Sequence, residues 1–452
     1  MAGIFGTDGV RARINTGPMR AEAIVRLALA SGRWFVDKYA ANDAPPIVVI
    51  AKDTRLSGYM IESALVAGFT SIGMDCKLLG PVPTATVSFM VKQMGAHLGV
   101  MISASHNPYH DNGIKLFGPD GQKLDDEIEL EISQLVQGSI ALTEADTMGY
   151  VRRILDASQS YVDYAVQTVS DEALLKGQKV IVDCAHGAAY RTAPETLTAL
   201  GATVIPLYAD PDGLNINDGC GAVSPAKMAE AVKSHEADFG IALDGDADRL
   251  IIADETGTIH DGDKVLGAIA RAHHRDGRLK GDVVGTLMTN LGLERYFAEQ
   301  NIGFARAKVG DRYILEMLKA SGGNLGGEGS GHILMPDICP SGDGLMAALQ
   351  LAAARDTKDQ PFSQLLALYD SVPQTLVNLP NMNKAILEDE RVLACQSEVE
   401  ELLGDEGRTL LRPSGTEPLI RVMVEALDPD KCKQAVSTLK ACLLDVNADY
   451  QK

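Results

Sequence analysis

Six short apolar runs constrain this chain more than any other feature. They cover residues 47–51, 98–102, 180–183, 239–243, 250–253 and 283–287, are rich in Val, Ile and Leu, and each stops at a Gly or polar cluster. Runs this brief are too short for ordinary helices and show no polar alternation, so they read as buried parallel strands. Helical stretches lie between them. One opens at Ser57 as N-cap and continues through Met60, Ile61, Ala64, Leu65 and Gly68, and another follows Asp343 through residues 345–354. Strand alternating with helix means α/β domains with helices packed on the sheets.

A chain of 452 residues is long enough for about three domains, with two or four also allowed. Polar segments near 157–161, 254–262 and 371–384 divide the pattern into four. We therefore expect α/β domains over 1–157, 158–255 and 256–370. A smaller α+β module is expected over 371–452, where two strand-like runs flank a Gly/Pro turn and precede an amphipathic helix carrying Cys432 and Cys442 on one face. The expected fold class is three similar mixed-sheet α/β domains plus a C-terminal α+β domain around one cleft.

Lys plus Arg (41) against Asp plus Glu (61) leaves a net charge of −20, a field that repels nucleic acid and anionic lipid. Neither partner is expected, and any anionic ligand must be drawn in by a local basic site. No apolar run reaches the ~18 to 20 residues of a membrane span, and the N-terminus lacks the layout of a signal peptide, so a cytoplasmic protein is expected. The seven scattered cysteines never adopt a C-x-x-C spacing and suggest neither zinc site nor disulfide framework.

Four Gly-rich polar loops, one per expected domain, each adjoin a strand, where α/β sheets build their ligand sites. The first holds Ser105 and His106, with Lys115 ten residues beyond the serine. Ser105 there is a candidate nucleophile or phosphate carrier; the alternative is a turn stabilised by side-chain-to-backbone hydrogen bonds. The second holds Asp244, Asp246 and Asp248 at alternate positions, where their mutual repulsion calls for a hard cation such as Mg²⁺ or Ca²⁺. A calcium-binding EF-hand fits poorly, because Arg249 occupies the sharp-turn glycine position and a strand follows; a solvated acidic turn is the other alternative. The third, Gly326 to His332, offers Glu328, Ser330 and His332 to sugar hydroxyls, unless it is a bare flexible loop. The fourth, Arg412 to Pro418 with Arg421 behind it, can cradle a phosphate through Ser414, Gly415, Thr416 and two guanidinium groups, or is a surface turn. Together the four make the components of phosphoryl transfer on a phosphorylated polyol.

These loops resemble those of the α-D-phosphohexomutases, and the likeness covers essentially the whole chain. It extends to Phe5-Gly6-Thr7-Asp8-Gly9-Val10-Arg11, Asp53-Thr54-Arg55, Asp183-Cys184-Ala185-His186-Gly187, Asn215-Ile216-Asn217, Gly285-Thr286-Leu287-Met288 and Lys308-Val309-Gly310-Asp311-Arg312-Tyr313. Membership implies a phosphoserine at Ser105 and Mg²⁺ bound by that phosphate with Asp244, Asp246 and Asp248. It implies sugar recognition by Glu328 and Ser330, with His332 a further candidate, and a phosphate clamp at Arg412, Ser414, Gly415, Thr416 and Arg421. Arg11 and Lys115 match residues near the reacting oxygen, with Lys115 or His106 passing the proton.

Within the family the chain is most similar to the hexosamine-phosphate branch. That branch converts glucosamine-6-phosphate to glucosamine-1-phosphate for UDP-N-acetylglucosamine and, in a bacterium, the cell wall. A hexose 1,6-bisphosphate serves as intermediate and activator, and a homodimer is compatible with the pattern. Gly329 departs from the glutamine usual in that branch. The nearest alternative is a glucose- or mannose-phosphate mutase; a more remote one is a non-catalytic regulator that binds sugar phosphate or Ca²⁺.

Overall fold

The computed structural model describes residues 4–6, 8–39, 45–413 and 419–450. The chain forms two compact units, one of Met1–Thr286 with Ala307–Ala367, the other of Leu287–Arg306 with Leu368–Lys452.

In the first unit, β1 (Val10–Arg13), β2 (Ile47–Lys52), β3 (Asp75–Pro81), β4 (Leu98–Ile102), β5 (Asp111–Phe117) and β6 (Val151–Arg153) form a six-stranded sheet in the order β1-β5-β4-β2-β3-β6. The apolar runs of β2 and β4 are buried on both faces, as parallel central strands must be, and β4 lies parallel to β2 and antiparallel to β5. The second sheet joins β7 (Lys179–Asp183), β8 (Thr203–Leu207), β9 (Phe239–Leu243), β10 (Leu250–Asp254) and β11 (Ile259–His260) in the order β11-β10-β9-β7-β8. After β12 (Val283–Thr286) and β13 (Phe304–Ala307), β12 pairs in parallel with β14 (Gly326–Gly327), which pairs antiparallel with β15 (Ile333–Leu334).

Two readings of the sequence need correction. The run at 250–253 is a buried strand but not a parallel one: β10 returns antiparallel to β9. The loop from 244 to 249 is too short for a crossover, which needs roughly a dozen residues or more. The helix Gly58–Thr70 does follow Ser57, yet the Ser57 side chain makes no cap; its Oγ accepts from Asn112 Nδ2 at 2.9 Å. The polar residues at 157–161 open the helix Ala157–Gln167 and bury Ala157 and Tyr161. Asp343, by contrast, caps the helix Gly344–Ala353 by accepting from Met346 N at 2.9 Å.

In the second unit, β16 (Gln374–Pro380), β17 (Gly407–Pro413) and β18 (Leu419–Ala426) make an antiparallel sheet in the order β16-β18-β17. The helices Glu390–Leu403 and Pro429–Tyr450 pack on it, burying Val392, Val399, Leu439 and Leu443 with Ile420, Val422 and Val424. Among the described residues, no helix is long and apolar enough to cross a membrane.

Candidate active site

Two loops leave neighbouring strand ends in the first unit and press together. Ser105 follows β4 with φ +50°, a left-handed conformation unusual for a residue other than glycine, and is almost wholly buried. Its backbone N–H donates to Ser103 Oγ at 2.9 Å, and Ser103 Oγ donates to Asp53 Oδ2 at 2.7 Å. Asp53 pairs with the buried Arg55 at 2.7 Å. Arg55 then donates to the carbonyls of Ser105, Asn107 and Asp111 at 2.9, 2.8 and 3.1 Å, and Asn217 Nδ2 donates to the Ser105 carbonyl at 2.9 Å. The serine is thus held by a guanidinium that sequence reading matched only as part of a motif.

The hairpin loop between β9 and β10 meets it from the other side. Ser105 Oγ donates to Asp244 Oδ2 at 2.6 Å. Between the loops stands Gly245, where a Cβ would lie 2.5 Å from the Ser105 carbonyl oxygen, so only glycine lets them approach this closely. Asp244, Asp246 and Asp248 are buried, and one carboxylate oxygen from each lies within 4.8 Å of the others. Crowding shows in their protonation. Burial, with Asp248 and Asp246 adding repulsion, pushes Asp244 up to about 8. Burial also opposes ionisation of Asp248, but Lys115 and His332 outweigh it and hold that carboxyl well below the usual range.

The trio fits a divalent cation on its donor chemistry. All ligands are hard oxygens, and Asp246 Oδ1 and Asp248 Oδ1 are buried without a hydrogen-bond partner. Neighbours orient the set: Thr84 Oγ1 donates to Asp246 Oδ2 at 2.7 Å and Arg249 N to Asp244 Oδ1 at 3.2 Å.

Lys115 projects from β5 with its Nζ 2.8 Å from Asp246, 3.2 Å from Asp248 and 3.4 Å from Asp8. Burial alone would lower its pKa, but these carboxylates raise it well above the ordinary value and keep it an ammonium. Arg11, opposite Gly113 in the β1–β5 pairing, forms an ion pair with Asp8. His106 Nδ1 lies 3.3 Å from Ser105 Oγ; burial, with Arg249 and Arg11 nearby, pushes its pKa down to about 4, so the ring is neutral at pH 7. His332 takes the opposite sign. Burial is overcome by Asp248 and Asp311, each 3.6 Å away, and its pKa rises to about 9.

The Glu328 loop joins the same cleft, whose wall includes Asp8, Arg11, Ser105, Asp248, Glu328 and His332. Glu328 accepts from Gly310 N at 2.8 Å and from Ser330 Oγ at 3.0 Å. Gly262 N donates to the Gly329 carbonyl at 3.0 Å, pinning the loop to the start of the helix Gly262–Arg275. A side chain at 329 would meet only the Asp263 carboxylate, at 3.6 Å, so nothing steric demands glycine there.

The fourth loop is only partly described. Ser414, Gly415 and Thr416 lie outside the described residues. In the second unit, Arg412 and Arg421 stand directly opposite each other on β17 and β18, and Arg421 Nε is buried without a hydrogen-bond partner. Like charges so placed repel, and an anion between them would relieve it. Sequence reading gave no role to Asp8, Asp53, Arg55, Lys123, Asn217 or Asp311. Several lie within motifs of the family resemblance, but isolated charged residues far apart in the chain announce no chemistry until folding joins them.

Fold and site together define the class: a multidomain α/β enzyme whose strand-end loops bring a serine, a carboxylate trio and a buried ammonium to one cleft. Family models agree along the chain. Phosphoglucomutase/phosphomannomutase alpha/beta/alpha domains I, II and III match residues 2–141, 159–257 and 261–372, and the C-terminal domain of the same family matches 376–439. The chain belongs to the phosphoglucomutase/phosphomannomutase family. It is 51% identical over 445 residues to the phosphoglucosamine mutase of Ruegeria sp. (strain TM1040), covering 98% of this chain and 99% of that one. The phosphoglucosamine mutase of Phenylobacterium zucineum (strain HLK1) is 48% identical over 447 residues, again covering 98% and 99%. Among solved structures, a phosphoglucomutase/phosphomannomutase family protein from Burkholderia thailandensis shares the fold with TM-score 0.80 at 24% identity, covering 97% of this chain and 96% of that one. N-acetylphosphoglucosamine mutase of Aspergillus fumigatus, solved with GlcNAc-6P and magnesium, does so with TM-score 0.68 at 18% identity, covering 98% and 96%.

Proposed function

We propose that the protein interconverts glucosamine-6-phosphate and glucosamine-1-phosphate, the reaction of a phosphoglucosamine mutase, supplying the sugar 1-phosphate for UDP-N-acetylglucosamine. The observation that carries this reading is the placement of Ser105 Oγ 2.6 Å from Asp244, beside Lys115, in a chain 51% identical to a full-length phosphoglucosamine mutase. Ser105 carries a phosphoryl group. The O1 hydroxyl of glucosamine-6-phosphate attacks its phosphorus, the bond from phosphorus to Ser105 Oγ breaks, and a 1,6-bisphosphate forms. The intermediate then turns end over end, and Ser105 Oγ takes the 6-phosphoryl group back.

Mg²⁺, held by Asp244, Asp246, Asp248 and the Ser105 phosphate, would supply neutralising charge to the transferring phosphoryl oxygens. The side chains do the rest. Arg11 and Lys115 flank the transferring group with positive charge; because Lys115 is held as an ammonium, the neutral His106 ring is the group that takes and returns the hydroxyl proton. Glu328 and Ser330, with His332 beside them, orient sugar hydroxyls, while Arg412, Ser414, Gly415, Thr416 and Arg421 bind the phosphate that is not being transferred. Because the sugar is rotated between half-reactions, one set of groups serves both, and most of the acceleration comes from positioning.

The reading is tested by comparing turnover of glucosamine-, glucose- and mannose-6-phosphate by one preparation primed with glucose 1,6-bisphosphate. Glucosamine phosphate should be turned over fastest. A large preference for glucose or mannose phosphate overturns the substrate assignment, and no turnover of any of them overturns the reaction.

A further inference from the structure

Six side chains of the first unit, carboxylates alternating with nitrogen groups, close into a ring around the cleft: Asp8, Lys115, Asp248, His332, Asp311 and Lys123. Lys115 Nζ lies 3.4 Å from Asp8 and 3.2 Å from Asp248. His332 lies 3.6 Å from Asp248 through Nδ1 and 3.6 Å from Asp311 through Nε2. Lys123 closes the circuit, 2.5 Å from Asp311 and paired with Asp8 on its other side. Within the ring each nitrogen group touches two carboxylates and each carboxylate two nitrogen groups; outside it, Lys115 also pairs with Asp246 at 2.8 Å and Asp8 with Arg11.

The ring is built from segments far apart in sequence. Lys123 is fixed by a backbone bridge to Phe117 at the end of β5, the strand that carries Lys115. Asp311 opens the helix Asp311–Ser321. Gly342 supports the far side: a Cβ there would lie 2.3 Å from His332 Nε2, so the backbone packs directly on the imidazole. Lys123 does not line the cleft that holds Ser105 and Arg11; it lines an adjoining pocket with Asp248, Asp311 and His332.

We propose that Lys123 is a positioning residue for phosphoryl transfer, setting Lys115 through Asp8 and His332 through Asp311 so that the two side chains flanking Asp248 are held as one unit. The inference rests on reading the cleft as a phosphotransfer site. Removing the Lys123 ammonium leaves Asp8 and Asp311 each one cation short, and both then pull on the two groups nearest the chemistry. Groups that act as a unit give non-additive losses on mutation.

Steady-state kinetics of Lys123→Gln, Lys123→Arg, Asp311→Asn and the Lys123→Gln/Asp311→Asn double variant test this. Lys123→Gln should lower kcat about 10- to 100-fold with KM within about threefold of wild type, and Lys123→Arg should keep kcat within about threefold. The double variant, which restores charge balance, should be no slower than the worse single variant. The proposal is overturned if Lys123→Gln alters KM alone or leaves kcat within about twofold, or if the two single losses multiply. Should Lys123→Gln fail to fold, the other single variants decide: an Asp311→Asn enzyme with unchanged kcat, or a folded Lys123→Arg enzyme losing more than about tenfold, overturns it. Failure of the underlying reading would look different. Wild type would then not isomerise any hexose phosphate, and the ring would still be tested by the rate at which Ser105 accepts phosphate from glucose 1,6-bisphosphate.

Discussion

Arg55 is the residue on which the serine loop most depends. Its planar fork reaches four carbonyls of that loop, those of Ser105, Asn107, Pro108 and Asp111, while Asp53 neutralises it, an arrangement a single ammonium cannot copy. Arg55→Lys should lower kcat roughly 10- to 100-fold and also lower the melting temperature, measured by turnover and thermal denaturation of the same preparation. An unchanged kcat would mean that the loop holds its shape without the fork. A second prediction concerns His273, buried in the helix Gly262–Arg275 away from the carboxylate trio. Burial, with Arg278 nearby, pushes its pKa down from 6.5 to about 4. Between those values the unfolded chain binds a proton that the folded chain does not. This histidine therefore adds stability above pH 6.5, and that contribution is lost as pH falls toward about 4. Melting curves across this window should show wild type losing more on acidification than His273→Gln; parallel curves would contradict the assignment.

At the scale of elements, the hairpin β9–β10 does what a crossover could not. Its short loop turns three carboxylates inward within five residues and places Gly245 against the Ser105 carbonyl. Gly245→Ala should push the two loops apart and reduce activity by about tenfold or more, with a weaker response to added Mg²⁺. Added Mg²⁺ should raise the melting temperature of wild type by relieving repulsion within the trio, and should do so much less for Asp246→Asn, as read by calorimetry without substrate. Equal shifts in both proteins would place the cation elsewhere. Much of this was legible beforehand, because buried strands betray themselves as short Val/Ile runs and strand-end loops by their glycines. The antiparallel return of β10 was not, since a buried strand reads the same in either direction and only loop length separates the cases. Nor was the ring through Lys123 and Asp311, whose members are 188 residues apart and share no spacing rule.

On the scale of the whole molecule, a chain with net charge −20 repels anions at long range, and the cleft answers locally by setting Arg11, Arg249 and His332 on its wall, with Lys115 buried beside it, among the carboxylates of Asp8, Asp248, Asp311 and Glu328. Membership of the phosphoglucomutase/phosphomannomutase family, shown across four domain models, explains why phosphoryl chemistry was readable from motifs. The branch was readable too: the motifs resemble the hexosamine-phosphate branch, and full-length phosphoglucosamine mutases 51% and 48% identical to the chain agree, although Gly329 departs from the glutamine usual there. The account turns on one hydroxyl storing the phosphoryl group between half-reactions. The most direct measurement is mass spectrometry of the Ser105 peptide before and after glucose 1,6-bisphosphate, run beside turnover of Ser105→Ala. The phosphoryl group should appear on Ser105, and the variant should lose turnover by about four orders of magnitude. An active enzyme with Ser105 unmodified throughout, or a Ser105→Ala variant that isomerises at the wild-type rate, would contradict it.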